Sequence, residues 1–416
     1  MPVDRYSGLA AVLEAIRNEE GITQPVLADR AGLGRSVVAE RVAELESAGL
    51  VRIAGLGPST GGRAPRQIRL ASDAGYVAGV DIATSELVIA VADLSGRTLV
   101  RRHVEMDVGE GPAVVLDRAR GLLEEAAAER GGMGRLLAIG VGLPLPVAFD
   151  TGSPVAVPAM ADWSGYPVRQ YFASHCQVPV WVDNRVNLLA LGEMWSNPRA
   201  AHARQLLYIG AGASIAAALV VDGRLYRGAH GLAGAIAHVA VAEAGITACQ
   251  CGRVGCLDTI AGGAAIARQG RILAESGQSP LLVDALKRNA KIRAVDVTLA
   301  AEGGDTPALN LLRRTCVSLG GSLATLVSFF APELVIIGGG LARAGLMALD
   351  PITEAIQERM LPIAAADLRV ELSEVDEEVA GAVGGAQLAL GQLFSRENLP
   401  QLIESRQGLA LLHAST

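Results

Sequence analysis

Three cysteines, Cys249, Cys251 and Cys256, fall within eight residues, and a histidine, His238, precedes the first of them by eleven. Three thiolates and one imidazole form a soft tetrahedral donor set, the pattern of a structural zinc site. Gly252 and Gly255 lie among the thiols and permit the tight turns that bring sulfurs together. A closed four-ligand site leaves no open coordination position, so the expected role of the metal is architectural and not catalytic. The competing reading is three unrelated core cysteines that share this spacing by accident. Cys176 and Cys316 stand alone and read as plain buried thiols. Five cysteines in 416 residues do not make a disulfide framework.

A second kind of chemistry lies in the first 70 residues. Net charge is −7, which by itself argues against a nucleic-acid partner. The distribution argues otherwise: residues 1–70 carry nine arginines and eight acids, and 52–69 carry four arginines and no acid. A helix over 35–47 would present Arg35, Ser36, Glu40 and Arg41 as its polar positions. Arginine reads guanine with two hydrogen bonds in the major groove, and Ser and Glu help discriminate. The segment Gly61-Gly62-Arg63-Ala64-Pro65-Arg66 puts two arginines, Arg63 and Arg66, on a glycine loop suited to a narrow minor groove. The plainer alternatives are a helical dimerisation domain and a solvated basic loop.

These groups need elements to position them. Leu9, Val12, Leu13 and Ile16 recur at helical spacing and predict a helix over 8–20, stopped by Gly21. Thr23 is the expected N-cap of a second helix, with Pro25 in its first turn and an end at Ala31-Gly32. The third helix, over 35–47, carries Val38, Val42 and Leu45 on one face. Strands at 50–53 and 67–70 flank a loop over 55–65, so residues 1–70 read as a winged helix-turn-helix. From 71 the texture becomes α/β: strands at 79–82, 88–93 and 98–104, a helix over 112–130, strands at 137–143 and 179–182, and a helix over 187–195. Strands at 206–208 and 216–221, a long helix over 309–330 and a strand at 333–337 follow. Half the residues are hydrophobic but only 3% are aromatic, so small aliphatic side chains must fill the core. The N-terminus lacks a basic region followed by an apolar stretch, and the apolar run 206–221 contains Gly210 and Gly212. No secretory signal or membrane span is expected, and a cytoplasmic location is.

The first 70 residues resemble the N-terminal domain of regulators in the ROK family (repressor, open reading frame, kinase), in which a GGRxP segment precedes a strand. Residues 231–238, Gly-Leu-Ala-Gly-Ala-Ile-Ala-His, followed by CxCGxxGC, resemble that family's zinc module, placed here at about 231–260. Further matches are Gly79-Val80-Asp81, Gly140 to Pro146, Asp183 to Asn187 and Pro332 to Gly340, so the resemblance spans about 8–395. It implies two actin/hexokinase-like lobes over 71–395 with a cleft between them. Residues 396–416 read as a closing helix or a tail.

In the family's kinases the base is the Asp of an Asn-Asp-Ala-Asn segment. Here the segment is Asn184-Arg185-Val186-Asn187, and a guanidinium cannot accept a proton. The phosphate loops depart as well. Asp81-Ile82-Ala83-Thr84-Ser85 replaces an Asp-x-Gly-Gly-Thr turn, and residues 212–218 replace most glycines of a second loop with residues whose Cβ atoms limit close approach. Gly338-Gly339-Gly340 survives. The resemblance places sugar contacts at 159, 184, 185, 235, 238 and 258, of which Asn184, Arg185, His238 and Asp258 are polar here. Arg185 either recruits an anionic ligand such as a sugar phosphate, with Arg224 and Arg227 as candidate assistants, or forms an internal salt bridge; a neutral sugar and an empty cleft are the other options. The leading expectation is a non-enzymatic repressor of sugar-related genes that binds double-stranded operator DNA as a homodimer or homotetramer. An active sugar kinase with an attached DNA-binding domain, and a protein-interaction scaffold, are the alternatives.

Overall fold

The computed structural model describes residues 5–19, 21–56, 66–155 and 158–414. At the N-terminus stand α1 (Arg5–Arg17), β1 (Ile22–Thr23), α2 (Gln24–Ala31), α3 (Arg35–Ser47), β2 (Val51–Leu56) and β3 (Arg66–Leu70). Leu9, Val12, Leu13 and Ile16 of α1 are buried against Leu27 of α2 and Val38, Val42 and Leu45 of α3. The sheet has three strands in the order β1-β3-β2, one more than the sequence predicts. Ile22 pairs with Ile68 and Thr23 with Gln67. That pairing holds Thr23 extended before α2, and its side chain makes no cap hydrogen bond. The first helix also begins and ends three residues earlier than its apolar pattern suggests, because the chain must turn at Gly21 (φ +87) to deliver Ile22 to the sheet. From residue 57 to 65 the wing tip, with Arg63, lies outside the described residues.

The first lobe contains β4 (Tyr76–Ile82), β5 (Glu86–Asp93), β6 (Thr98–Glu105), α4 (Pro112–Ala128), β7 (Leu136–Leu143), the short pair β8 (Val147–Ala148) and β9 (Ser153–Pro154), α5 (Val168–Cys176) and β10 (Val180–Asn184). Next come α6 (Arg185–Ser196) and α7 (Pro198–His202). The second lobe holds β11 (Gln205–Ala211), β12 (Ile215–Val221), β13 (Arg224–Tyr226), α8 (Asp258–Ala261), α9 (Gly263–Glu275), α10 (Pro280–Asn289), α11 (Ala294–Glu302), α12 (Thr306–Phe330), β14 (Leu334–Gly338), α13 (Leu346–Gln357), α14 (Pro362–Asp367) and β15 (Arg369–Leu372). α15 (Glu377–Leu393) and α16 (Leu399–Ala414) complete the chain.

The two large sheets are built alike: β10-β7-β4-β5-β6 and β13-β12-β11-β14-β15. Each is an antiparallel three-strand meander whose first strand carries two further parallel strands on its other side. Strands buried on both faces read as the continuous apolar runs seen at 76–82 and 205–211. α15 packs on the first sheet, and α6 packs through Val186, Leu189 and Ala190 on the second. Among the described residues no helix is long and apolar enough to cross a membrane.

Candidate functional site

Asp81 is the penultimate residue of β4, beside Gly142 of β7, and Asn184 ends β10 beside Leu143. The carboxyl ends of these strands meet the start of α6, the usual place for a ligand crevice in such sheets. The Asn184 side chain accepts a hydrogen bond from the Val186 N–H at 3.3 Å and so caps α6. Arg185 is therefore the first residue of that helix. Its Nε donates to both Asp81 carboxylate oxygens at 3.0 and 3.1 Å, and Nη1 donates to Glu377 Oε1 at 2.7 Å. Nη2 stands 3.6 Å from Glu86 Oε1 and makes no hydrogen bond. Asp81 has no exposed surface. It lies under Gly381, where a Cβ would fall 2.0 Å from Oδ2. Burial pushes the Asp81 carboxyl up to about 6, against the pull of Arg185, while Glu86 and Glu377 add to the rise. For Arg185 burial acts to lower the pKa, but Asp81 and Glu377 outweigh it and the guanidinium stays charged.

Asp183 is buried as well. Its Oδ1 accepts from the Asn184 N–H and from Asn187 Nδ2, and its Oδ2 accepts from Arg227 Nε at 2.8 Å. The Arg227 guanidinium stacks 3.9 Å above the Phe149 ring. Arg224, by contrast, is exposed on β13. Asp258 opens α8 and holds the turn after β11: its Oδ1 accepts from Ser214 Oγ at 2.9 Å and from the Ile215 N–H at 3.0 Å. That turn reaches back to the arginine, since a Cβ on Gly212 would lie 3.9 Å from Glu377 Oε1. A polar cluster of Asp81, Arg185 and Glu377 thus lies next to the Gly212 turn that Asp258 holds. Glu86 and Glu377 carry no local motif; only the need of a buried arginine for carboxylates points to them.

His238, Cys249, Cys251 and Cys256 come together, with one ligand atom from each lying within 4.8 Å of all the others. Cys251 Sγ and Cys256 Sγ are 3.7 Å apart, and Cys249 Sγ is 3.6 Å from His238 Nδ1. Two sulfurs about 2.3 Å from one zinc ion at a tetrahedral angle stand roughly 3.8 Å apart, so the spacing fits a single metal ion. The knuckle is backbone-built: the Cys249 N–H donates to Arg253 O at 2.8 Å, and Gly255 N–H donates to Thr247 O at 2.9 Å. Gly255 (φ +76) has no room for a Cβ, which would sit 2.8 Å from Gly245 O. Burial raises the Cys256 thiol to about 12, so a metal bound there must displace its proton. Cys176 and Cys316 are buried, isolated thiols.

On α3, Arg35, Ser36 and Glu40 are exposed, together with Ala39 and Ala43 on the same side. The two alanines leave a small apolar surface between the polar side chains. Arg41 departs from its expected presentation. Its side chain is 12% exposed, and its Nη1 donates to Glu44 and Glu40 at 3.4 and 3.3 Å. A rotation of about 100° from Glu40 takes it off the outward face, so it packs toward Gly8 of α1 instead. Arg66 and Arg69 are exposed on β3, and Arg52 pairs with Asp73.

A profile of the ROK family matches residues 77–392, and a winged helix-turn-helix DNA-binding profile matches residues 11–52. The chain belongs to the ROK family. A glucokinase of Halalkalibacterium halodurans is 30% identical over 330 residues, covering 78% of this chain and 98% of that one. A xylose repressor of Caldicellulosiruptor bescii is 26% identical over 385 residues, covering 92% and 95%. The crystal structure of a ROK family transcriptional regulator, a homologue of the E. coli MLC protein, superposes with TM-score 0.82 at 23% identity, covering 96% of this chain and all of that one. That likeness shows the fold, a ROK body of two lobes with an N-terminal winged helix. ROK membership thus reaches both regulators and kinases, and the residues of the cleft must decide between them.

Proposed function

We propose that this ROK protein is a DNA-binding transcriptional repressor whose kinase-like body senses a sugar-derived ligand without phosphorylating it. The observation that carries the reading is Arg185. It occupies the position to which the family resemblance assigns the base, and Asp81, Glu377 and Glu86 hold it there. A permanently charged guanidinium cannot take a proton from a hydroxyl, and its hold on Asp81 and Glu377 withdraws both carboxylates from other work. Likeness to the xylose repressor extends over 92% of the chain, against 78% for the glucokinase, which supports the regulator.

The cleft's cations are already matched. Arg185 faces three carboxylates, and Arg227 is bonded to Asp183. A neutral, hydroxyl-rich ligand fits that balance better than a sugar phosphate. Asn184, His238 and Asp258 are the polar groups proposed to meet it. His238, Cys249, Cys251 and Cys256 would hold one structural zinc ion, whose contribution is to fix the segment leading into Asp258. Arg35, Ser36 and Glu40 would read operator bases, with Arg63 and Arg66 on the wing. A symmetric dimer or tetramer would place two such domains on a palindromic site in the cytoplasm.

The test uses the full chain. Across a panel of hexoses with ATP, a coupled assay should show no ADP release above background, while selection from random duplexes should yield a specific site bound tightly and in a salt-sensitive way. Clear turnover would overturn the sensor reading. Failure to select any duplex would overturn the regulator.

A further inference from the structure

The cleft and the DNA-binding domain sit at opposite ends of the same pair of crossed helices. α6 and α15 meet backbone to backbone: a Cβ on Gly384 would fall 1.8 Å from Leu188 O, and one on Gly192 would fall 2.2 Å from Ala380 O. Interlocked this closely, neither helix can slide along the other, and rotation about the crossing is the motion left to them. α15 belongs to the first lobe, where a Cβ on Gly79 would meet Ala382 O at 1.8 Å. α6 shares a core with Leu206, Tyr208, Ala218 and Val220 of the second lobe. α6 also touches the first sheet, through Leu188 beside Gly142, so the crossed pair forms the seam between the two lobes.

Both ends of the crossing are tied. In the cleft, Arg185 at the start of α6 bonds Glu377 at the start of α15. At the other end, Trp195 of α6 and Gln387 of α15 are joined by Arg17, the last residue of α1 in the DNA-binding domain. Arg17 Nη2 donates to Gln387 Oε1 at 2.6 Å, and the guanidinium lies 5.5 Å from the Trp195 ring centroid. Gln387 Nε2 in turn donates to Gly96 O at 3.4 Å, and a Cβ on Gly96 would touch both Gln387 and Trp195. The cation is held by an amide and a ring face, one from each helix, and its Nε has no partner. Burial depresses its pKa, and a desolvated cation held by neutral groups is costly to keep. An adhesive contact would be served by one helix and a carboxylate; this one is completed only when both helices stand at the right angle.

We propose that Arg17 reads the α6–α15 crossing and carries a change in the cleft to the DNA-binding domain. The proposal rests on the regulator reading for its consequence at DNA, but the latch itself is a property of the fold.

The test is a double-mutant cycle in the full chain, with Glu377→Gln perturbing the cleft and Arg17→Ala removing the reader. Two signals are followed: affinity for a duplex selected in vitro, and hydrogen exchange of the α1 amides. Glu377→Gln should change duplex affinity about fivefold or more when Arg17 is present, the range of ordinary allosteric coupling. It should change it less than about twofold when Arg17 is absent. Exchange in α1 should follow the same pattern, and Trp195→Leu should reproduce Arg17→Ala from the other side of the contact. Equal effects of Glu377→Gln in both backgrounds, or none on either signal, overturn the latch. If no duplex is bound, the regulator reading fails and the exchange data alone decide the latch. Arg17→Lys guards against a folding defect: it keeps charge and reach, and it should retain part of the coupling.

Discussion

Asp81 has no contact with water and shares its pocket with one guanidinium and two other carboxylates. Its pKa is raised from 3.8 to about 6, chiefly by burial. The folded protein therefore holds this proton more tightly than the unfolded chain does. A group raised in this way contributes stability below about pH 4, and the contribution disappears as pH rises through 6. Asp81→Asn cannot titrate. The stability of the wild type relative to this variant should fall by about 2 kcal/mol between pH 4 and pH 7, as measured by urea unfolding. A difference that stays flat across that range would remove Asp81 as the titrating group. Only half of this arrangement was readable beforehand. Arg185 announced the loss of a base, but Glu377, 192 residues away, bears no sequence mark linking it to that position. The partner is set by how α15 returns to the first sheet, and that is a property of packing.

Local elements were the most legible because their physics is local. The four clustered Cys and His residues span 238–256, and the backbone bonds that gather them join Thr247 to Gly255 and Cys249 to Arg253. Spacing alone therefore predicted the cluster. The two-residue strand β1 was not legible, since two residues carry no period and only pairing with β3 defines them. The inward turn of Arg41 was not legible for a related reason: Glu40 and Arg41 are both polar but differ by about 100° around the helix. The Cys/His cluster also supports a prediction. Purified protein should contain one zinc ion per chain, and a strong chelator should raise amide exchange across 239–257 more than about tenfold. Because Leu257 N–H donates to Val239 O at 2.9 Å and Asp258 follows directly, the turn held by Ser214 should loosen with it, while the α4 amides in the first lobe should not respond. Cys256→Ser should mimic the chelator.

At the scale of the whole molecule, the winged helix is less separate than its sequence suggested. Its core, Leu9, Val12, Leu13, Leu45 and Ile68, belongs to one apolar cluster with Val77, Ala92 and Ala138, on the face of the first sheet that α15 covers, and with Leu390 and Leu393 of α15. Leu399, Leu402 and Ile403 of α16 close the same cluster. Arg406 adds a polar clasp: its Nε donates to Ala48 O at 2.8 Å, just past the end of α3, and its Nη1 donates to Ala74 O at 3.3 Å. A basic side chain at a helix C-terminus satisfies a carbonyl that has no helical partner. The C-terminal segment, unreadable from composition, is thus the strap over the DNA-binding domain. A chain ending at Ser395 loses three buried aliphatic side chains, each worth roughly 1.5–3 kcal/mol, together with the clasp. The full chain should unfold in calorimetry with its N-terminal domain and first lobe in a shared transition. The shortened chain should show a separate, lower-temperature transition for the N-terminal domain, because the strap stabilises that domain far more than it does the lobes. An unchanged calorimetric profile would mean that the sheet and α15 hold the domain without help, and that α16 only lies against it.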